Sequence, residues 1–593
     1  MTTLTPTRPA TSRSPKPTTR WGRLVRPAIV AGALGLAVWL FAWPVAMLVV
    51  GIFREAPPGQ PGGWSLRSVT ETYTTPATYR ALLNSVIYAV GVVLVGTTIG
   101  ATFAFISTRT TIRLRGLLTP VMLLMMALPN LMYAVAWDQL VNPAGGLVNA
   151  LVRPIFDSPS LSAESWPGLI LASGLKLTGF AYFMLIGAFA QMDRRLEEAS
   201  SACGAGRLRT LLTIDVPLMA PAVFGVMLVA GVFALGAFDF PQILGSPAGI
   251  PTLSTRIYAV LSSSSPDHAG AASIALLLVA ALILTSLAQR RVMQGRSFVT
   301  VSGKGHAAER WNLGRAGNLG TAAIILFTVV ALLAPGAQVV LSAFQPFPGV
   351  MTNLSLNNFK TVLADPLTGK AFALTAEMAV GCGFAVMLIA VLIAYLSQRV
   401  PRRVAAVFDV LTVLPIAMPG VVLSVGILWA YISIPGLRQL YATIWLCIIA
   451  VIVGVTPIAS RNATGAVAQL GRELEEAAQT SGASDGRVLV QIVAPLLRRS
   501  FLAGWLVCGV IVAGSLDIPL LLLPAPSPNV ATLVYGLLYG TSLPSLASAV
   551  LVLLMAAIFA IGLTALLLGA LWRASRRRRA AATERSSLST LVP

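Results

Sequence analysis

Twelve long apolar runs leave this chain few ways to fold. They lie near 28–53, 82–107, 117–139, 167–190, 219–238, 271–288, 319–344, 372–397, 405–431, 441–460, 501–523 and 546–571. Nearly all reach the roughly 20 residues that a helix needs to cross about 30 Å of hydrocarbon. In that solvent only a helix or a closed barrel satisfies its own backbone hydrogen bonds. Of the 593 residues only 11% are charged and 56% are apolar, where soluble domains carry about 25% charge. The expected fold class is all-α integral membrane, with about twelve transmembrane helices.

A net charge of +21 would suit a nucleic-acid partner, but the placement of the charges argues against one. With the N-terminus in the cytoplasm, the segments inside are 1–27, 108–116, 191–218, 289–318, 398–404, 461–500 and 572–593. They hold 33 of the 42 Lys and Arg residues, which is the positive-inside pattern. Both termini are then cytoplasmic, and the basic excess is topological. Cys203, Cys382, Cys447 and Cys508 form no CxxC pair, and His268 and His306 fall in different loops. Disulfide frameworks, metal sites and nucleophilic active sites therefore have no sequence support.

The chain is also a duplication. LEEASSACGAGRLRTLLTIDVPL, Leu196 to Leu218, returns 278 residues later as LEEAAQTSGASDGRVLVQIVAPL, Leu474 to Leu496, with 11 of 23 positions identical. Chance would give roughly two. FISTR ending at Arg109 pairs with AYLSQR ending at Arg399, and ALPN (127–130) with AMPG (417–420), both at an offset of 290. GAFDFP (236–241) pairs with GSLDIP (514–519) at 278. Two six-span halves, 28–288 and 319–571, are thus expected around a basic linker, 289–318. Residues 1–27 are rich in Thr, Pro, Ser and Arg and are expected to be disordered; residues 572–593 are a basic tail. Six is even, so the repeats run parallel about an axis along the membrane normal, with a pathway between them.

Each duplicated loop has acid at its start, where a helix dipole favours negative charge. A Gly follows, tolerating φ > 0 as a break. A Pro comes next, read as a stop before the following span. This plan resembles the EAA loop of ABC-importer permeases, with Glu-Ala-Ala, three residues, Gly and a hydrophobic-x-Leu-Pro ending. Here the first copy reads Glu-Ala-Ser and ends Val-Pro; the second reads Glu-Ala-Ala and ends Ala-Pro. The resemblance covers nearly the whole chain and implies two parallel six-helix permease repeats. It also implies that Glu197, Glu198, Ala199, Gly204 and Pro217 couple to an ATPase subunit, as do Glu475, Glu476, Ala477, Gly482 and Pro495. The implied partners are two copies of an ABC ATPase, an extracytoplasmic solute-binding protein and membrane lipid, in a bacterial plasma (inner) membrane. ATP and Mg would sit on the ATPase, with no cofactor on this chain. SGKG (302–305) lacks the spacing of a P-loop.

The fused arrangement, with RSFVTVSGKG (296–305) and IPTLSTRIY (250–258), looks most like the ferric-iron permeases. Relatives for thiamine, polyamine-like and phosphonate substrates are alternatives. An ion-gradient-driven transporter would need membrane-embedded acids. The ionisable residues inside spans are Lys176, Glu377, Asp239 and Asp517, and they are the substrate-path candidates. Lys176 is expected to snorkel toward the outer interface and Glu377 to face water near its helix end. The two Asp residues would cap a helix-to-loop junction.

Overall fold

In the computed structural model, residues 20–143, 145–156, 161–192, 195–293 and 310–589 are described. The linker phrase 296–305 and residues 1–19 lie outside them. Among the described residues every regular element is a helix, and only two isolated bridges occur. Among the described residues ten helices are long and apolar enough to cross a membrane, and up to twelve spans result if each of two bent pairs is one broken span.

The bent pairs fall on the expected third and ninth spans, each broken at its ALPN or AMPG phrase. Arg115–Ala127 turns 101° into Asn130–Leu140, and Arg402–Ala417 turns 113° into Gly420–Ile432. The cause is Pro129 and Pro419, each of which pushes the residue before it out of helical geometry. Leu128 accordingly has ψ 132° and Met418 has ψ 93°. The eleventh span is also shifted toward the N-terminus from the expected 501–523. It ends at Ala513, and a separate helix, Asp517–Leu522, follows. At the N-terminus the first helix begins at Arg20, so the end of the segment expected to be disordered is helical. A helix need not stop where hydrocarbon stops, since basic turns can project into water.

Besides a π-helical turn at Pro241–Gly245, which opens on its own proline, four occur among the described residues at Val38–Ala42, Leu211–Asp215, Val329–Leu333 and Leu489–Val493. Each is followed two residues on by a proline: Pro44, Pro217, Pro335 and Pro495. A proline ring clashes with the carbonyl four residues back. Widening the turn to i→i+5 bonds accommodates it. Pro217 and Pro495 are therefore not stops: helix runs unbroken from Arg207 to Leu235 and from Gly486 to Ala513. The carbonyl of Ala331, four residues before Pro335, accepts instead from Tyr133 Oη at 2.7 Å.

That bond also shows how the halves interlock. Tyr133 belongs to the first half's broken span and Ala331 to the second half's first helix. The reverse exchange is present too. Trp43 Nε1 donates to Ala430 O at 3.1 Å, and Trp39 stacks edge-on to Tyr431 at 5.1 Å. Each half's first helix thus packs on the other half's broken span.

Candidate functional site

The two polar loops fold alike. Arg195–Ala202 and Arg472–Thr480 are helices with acid in the first turn. Each ends on a glycine of positive φ, Gly204 at +80° and Gly482 at +89°. The hydrogen bonds are those of a Schellman cap. Gly204 N donates to Ser201 O at 2.9 Å and Ala205 N to Ser200 O at 3.1 Å; Gly482 N donates to Gln479 O and Ala483 N to Ala478 O, both at 3.0 Å. The chain then turns straight into the helix that becomes the fifth or eleventh span. The polar-loop helix and the span are thereby joined through a glycine elbow.

The two glutamates of each loop have opposite surroundings. Glu198 and Glu476 are exposed, as are Ala199 and Ala477. Glu197 and Glu475 are buried and ion-paired to Arg109 and Arg399, the last residues or near-last residues of the second and eighth spans. Arg109 is 2% exposed and also donates to Met192 O at 3.2 Å. Arg399 Nε donates to Glu475 Oε2 at 3.0 Å while the guanidinium lies 3.4 Å over the Tyr395 ring. The sequence marks the two arginines as a repeat at an offset of 290, but not as partners of the loop glutamates. The first loop has a further tie. Trp311 Nε1 donates to Glu197 Oε2 at 2.7 Å, and Trp311 exchanges backbone bonds with Arg109 and Thr111. The end of the linker therefore holds the first loop and has no counterpart at the second.

At the centre, each GxxDxP phrase meets the other half's break. A Cβ on Gly236 would come within 2.6 Å of Pro419 Cγ, and one on Gly514 within 2.7 Å of Pro129 Cβ. Asp517 accepts from Ile518 N at 2.9 Å and Ser515 Oγ at 3.1 Å. It also stands at the start of the helix Gly420–Ile432, where a Cβ on Gly420 would collide with its Oδ2. Asp239 lies beside Asn130, which opens the equivalent helix Asn130–Leu140. Both carboxylates thus face the positive ends of the helices that follow the breaks, a capping arrangement reaching beyond their own helix-to-loop junctions.

Lys176 does not snorkel to an interface. Its Nζ donates to Leu128 O at 2.6 Å and to Met125 O, the carbonyls orphaned by the break. Its repeat counterpart is Gly454. There the second half tightens into a 3₁₀ turn, Leu414–Ala417, with Met418 N donating to Pro415 O at 3.0 Å. Glu377 is exposed on the helix Pro366–Ser397, and no contact places it in the central group.

On the face away from the polar loops, two repeat-related tyrosines meet. Tyr258 and Tyr535, offset by 277, have ring centroids 6.3 Å apart. Gln242 Nε2 donates to Tyr535 Oη at 2.9 Å and Tyr539 Oη to Ile243 O at 2.8 Å. These residues join the halves there. Their signal lay in the paired phrases LSTRIY and VATLVY.

A two-half helical bundle with duplicated, glycine-elbowed loops and broken spans is the architecture of a membrane transport permease. The family model described as "binding-protein-dependent transport system inner membrane component" matches twice, over residues 96–297 and 386–579. The chain belongs to that family, as a fused ABC-importer permease subunit. It is 25% identical over 481 residues to a putative ferric transport system permease protein of Haemophilus influenzae, covering 80% of this chain and 75% of the relative. It is 28% identical to a ferric transport system permease protein of Actinobacillus pleuropneumoniae, covering 57% of this chain and 49% of the relative. A probable ABC transporter permease protein of Sinorhizobium fredii is 27% identical, with 61% of this chain and 65% of the relative covered.

Proposed function

We propose that this permease imports ferric iron delivered by an extracytoplasmic binding protein, by alternating access, in a bacterial inner membrane with both termini cytoplasmic. Two copies of a separate ATPase subunit dock on the loops 191–218 and 461–500. The exposed Glu198, Ala199, Glu476 and Ala477 face them, while the buried Glu197 and Glu475 transmit their movement to the second and eighth spans. ATP and Mg stay on the ATPase. The observation that supports this most is the identical Schellman elbow and arginine-bound glutamate in both loops. The ferric substrate is supported by the names of the relatives in Haemophilus and Actinobacillus.

The test is ATP-dependent uptake of labelled ferric iron by the permease reconstituted with its ATPase and binding protein. Gly204→Asp with Gly482→Asp is the informative variant. A Cβ at either position meets nothing within 4 Å, so no packing is displaced, while the strain of a non-glycine residue at positive φ and a new charge disturb the docking surface locally. Uptake is expected to fall at least tenfold at normal membrane levels. Normal uptake by the double variant would sink the coupling assignment. Absence of iron uptake alongside binding-protein-stimulated ATP hydrolysis would move the substrate to thiamine, a polyamine-like compound or a phosphonate.

A further inference from the structure

A groove of about 1180 Å³ opens between the first half's broken span and the second half's first helix. One wall is the helical run Leu332 to Phe344, roughly 18 Å long at about 1.5 Å per residue. That is a little more than one leaflet of a core about 30 Å thick. At the level of the break the groove is closed by Leu124, Leu128, Tyr133 and Met555. At the other end it meets Ser355, Asn357 and Lys360, on the loop and helix leading to the span Pro366–Ser397. The lining is almost wholly apolar until that end. Lys360 is exposed, and among the described residues its ammonium makes no ion pair.

We propose that this groove holds one anionic phospholipid of the surrounding bilayer, its acyl chains along Leu332 to Phe344 and its phosphate on Lys360. The separation of chemistry along the groove carries the assignment. An apolar trough one leaflet deep offers nothing to hydrogen-bond a peptide or a soluble ligand, and a single cation stands at interfacial height, where a lipid phosphate lies. The cation of the site has no equivalent in the first half among the described residues. The repeat counterpart of Lys360 is Thr70, on a helix whose nearby cation, Arg67, is already paired with Glu71 at 2.7 Å. The lipid would back the segment in which Tyr133 holds the carbonyl of Ala331, and so brace the broken span next to the central group.

The full-length chain would be placed in nanodiscs of phosphatidylcholine containing a minor fraction of phosphatidylglycerol, and the lipids it retains counted by native mass spectrometry. Wild type is expected to keep one phosphatidylglycerol in preference to phosphatidylcholine. Lys360→Gln should lose about fivefold of that preference, the weight of one basic residue near an anionic surface, while still retaining a lipid. Gly336 lines the groove, and a Cβ there meets nothing within 4 Å. Gly336→Phe should therefore fill the trough without moving backbone and displace the lipid altogether. Retention of phosphatidylglycerol unchanged in both variants overturns the proposal. So does a wild type with no preference, or a photo-crosslinker at position 354 that captures protein instead of lipid.

Discussion

Arg109 and Arg399 show how a single residue fixes the position of a surface loop. Each is tied to the second or eighth span by the backbone and to a loop glutamate by charge. Removing one partner of a buried pair strands the other, at a cost of about 3–5 kcal/mol. Arg109→Met should therefore lower the thermal unfolding midpoint of the purified protein markedly. Adding Glu197→Gln to it should recover part of the loss, because Glu197 is then no longer stranded, leaving Asp215 as the buried carboxyl beside the site. Equal damage from the single and double variants would mean that the pair contributes packing only. Arg399→Met should be milder, since Arg399 is 24% exposed at the side chain against 2% for Arg109. The positive φ at Gly204 and Gly482 was legible in the sequence because few other residues adopt it. The division of labour between Glu197 and Glu198 was not. Adjacent acids look alike in a sequence, and only the arrival of Arg109 from 88 residues away separates a buried glutamate from an exposed one.

At the scale of elements, proline behaves in two ways here, and the neighbouring backbone decides which. Before Pro129 and Pro419 the chain leaves helical geometry and breaks; before Pro217 and Pro495 it widens into a π turn and continues. Local sequence does not distinguish these outcomes. A break is tolerable at the centre because Lys176, Asp239 and Asp517 are there to receive the freed backbone ends. Such partners come from distant segments, so apolar periodicity alone does not show that the third and ninth spans break. The π turn has a mechanical consequence. It inserts one residue between docking helix and span, about 100° of helical phase at 3.6 residues per turn. Pro217→Ala with Pro495→Ala restores both N–H groups and removes the clash that holds the turns open. Uptake is expected to fall several-fold with the unfolding midpoint changed little. A fall in both together would assign the prolines to stability and not to phasing.

For the molecule as a whole, the exchange of first helices and the reciprocal contacts Gly236–Pro419 and Gly514–Pro129 make the two halves one mechanical unit. The hydropathy pattern and the offsets of 278 and 290 disclosed the duplication, because repeats conserve spacing. They could not disclose that each half leans on the other's broken span, since a parallel duplication is compatible with several packings. Alternating access needs joints that open in turn. On the face away from the loops, the halves are joined by Tyr258 against Tyr535 and by the Gln242–Tyr535 and Tyr539–Ile243 hydrogen bonds. If that face must part for substrate to enter, tying it shut should stop transport without touching the docking loops. Tyr258→Cys with Tyr535→Cys, bridged by a short cleavable bifunctional thiol reagent, should lose ATP-dependent uptake and regain it on cleavage. Each single cysteine variant treated alike should keep it. The free thiols of Cys382, Cys447 and Cys508 are buried and Cys203 is exposed, so Cys203→Ser is the background in which the bridge is made. Unimpaired uptake by the bridged protein would show that the tyrosine contact stays closed throughout the cycle and that substrate enters by another route.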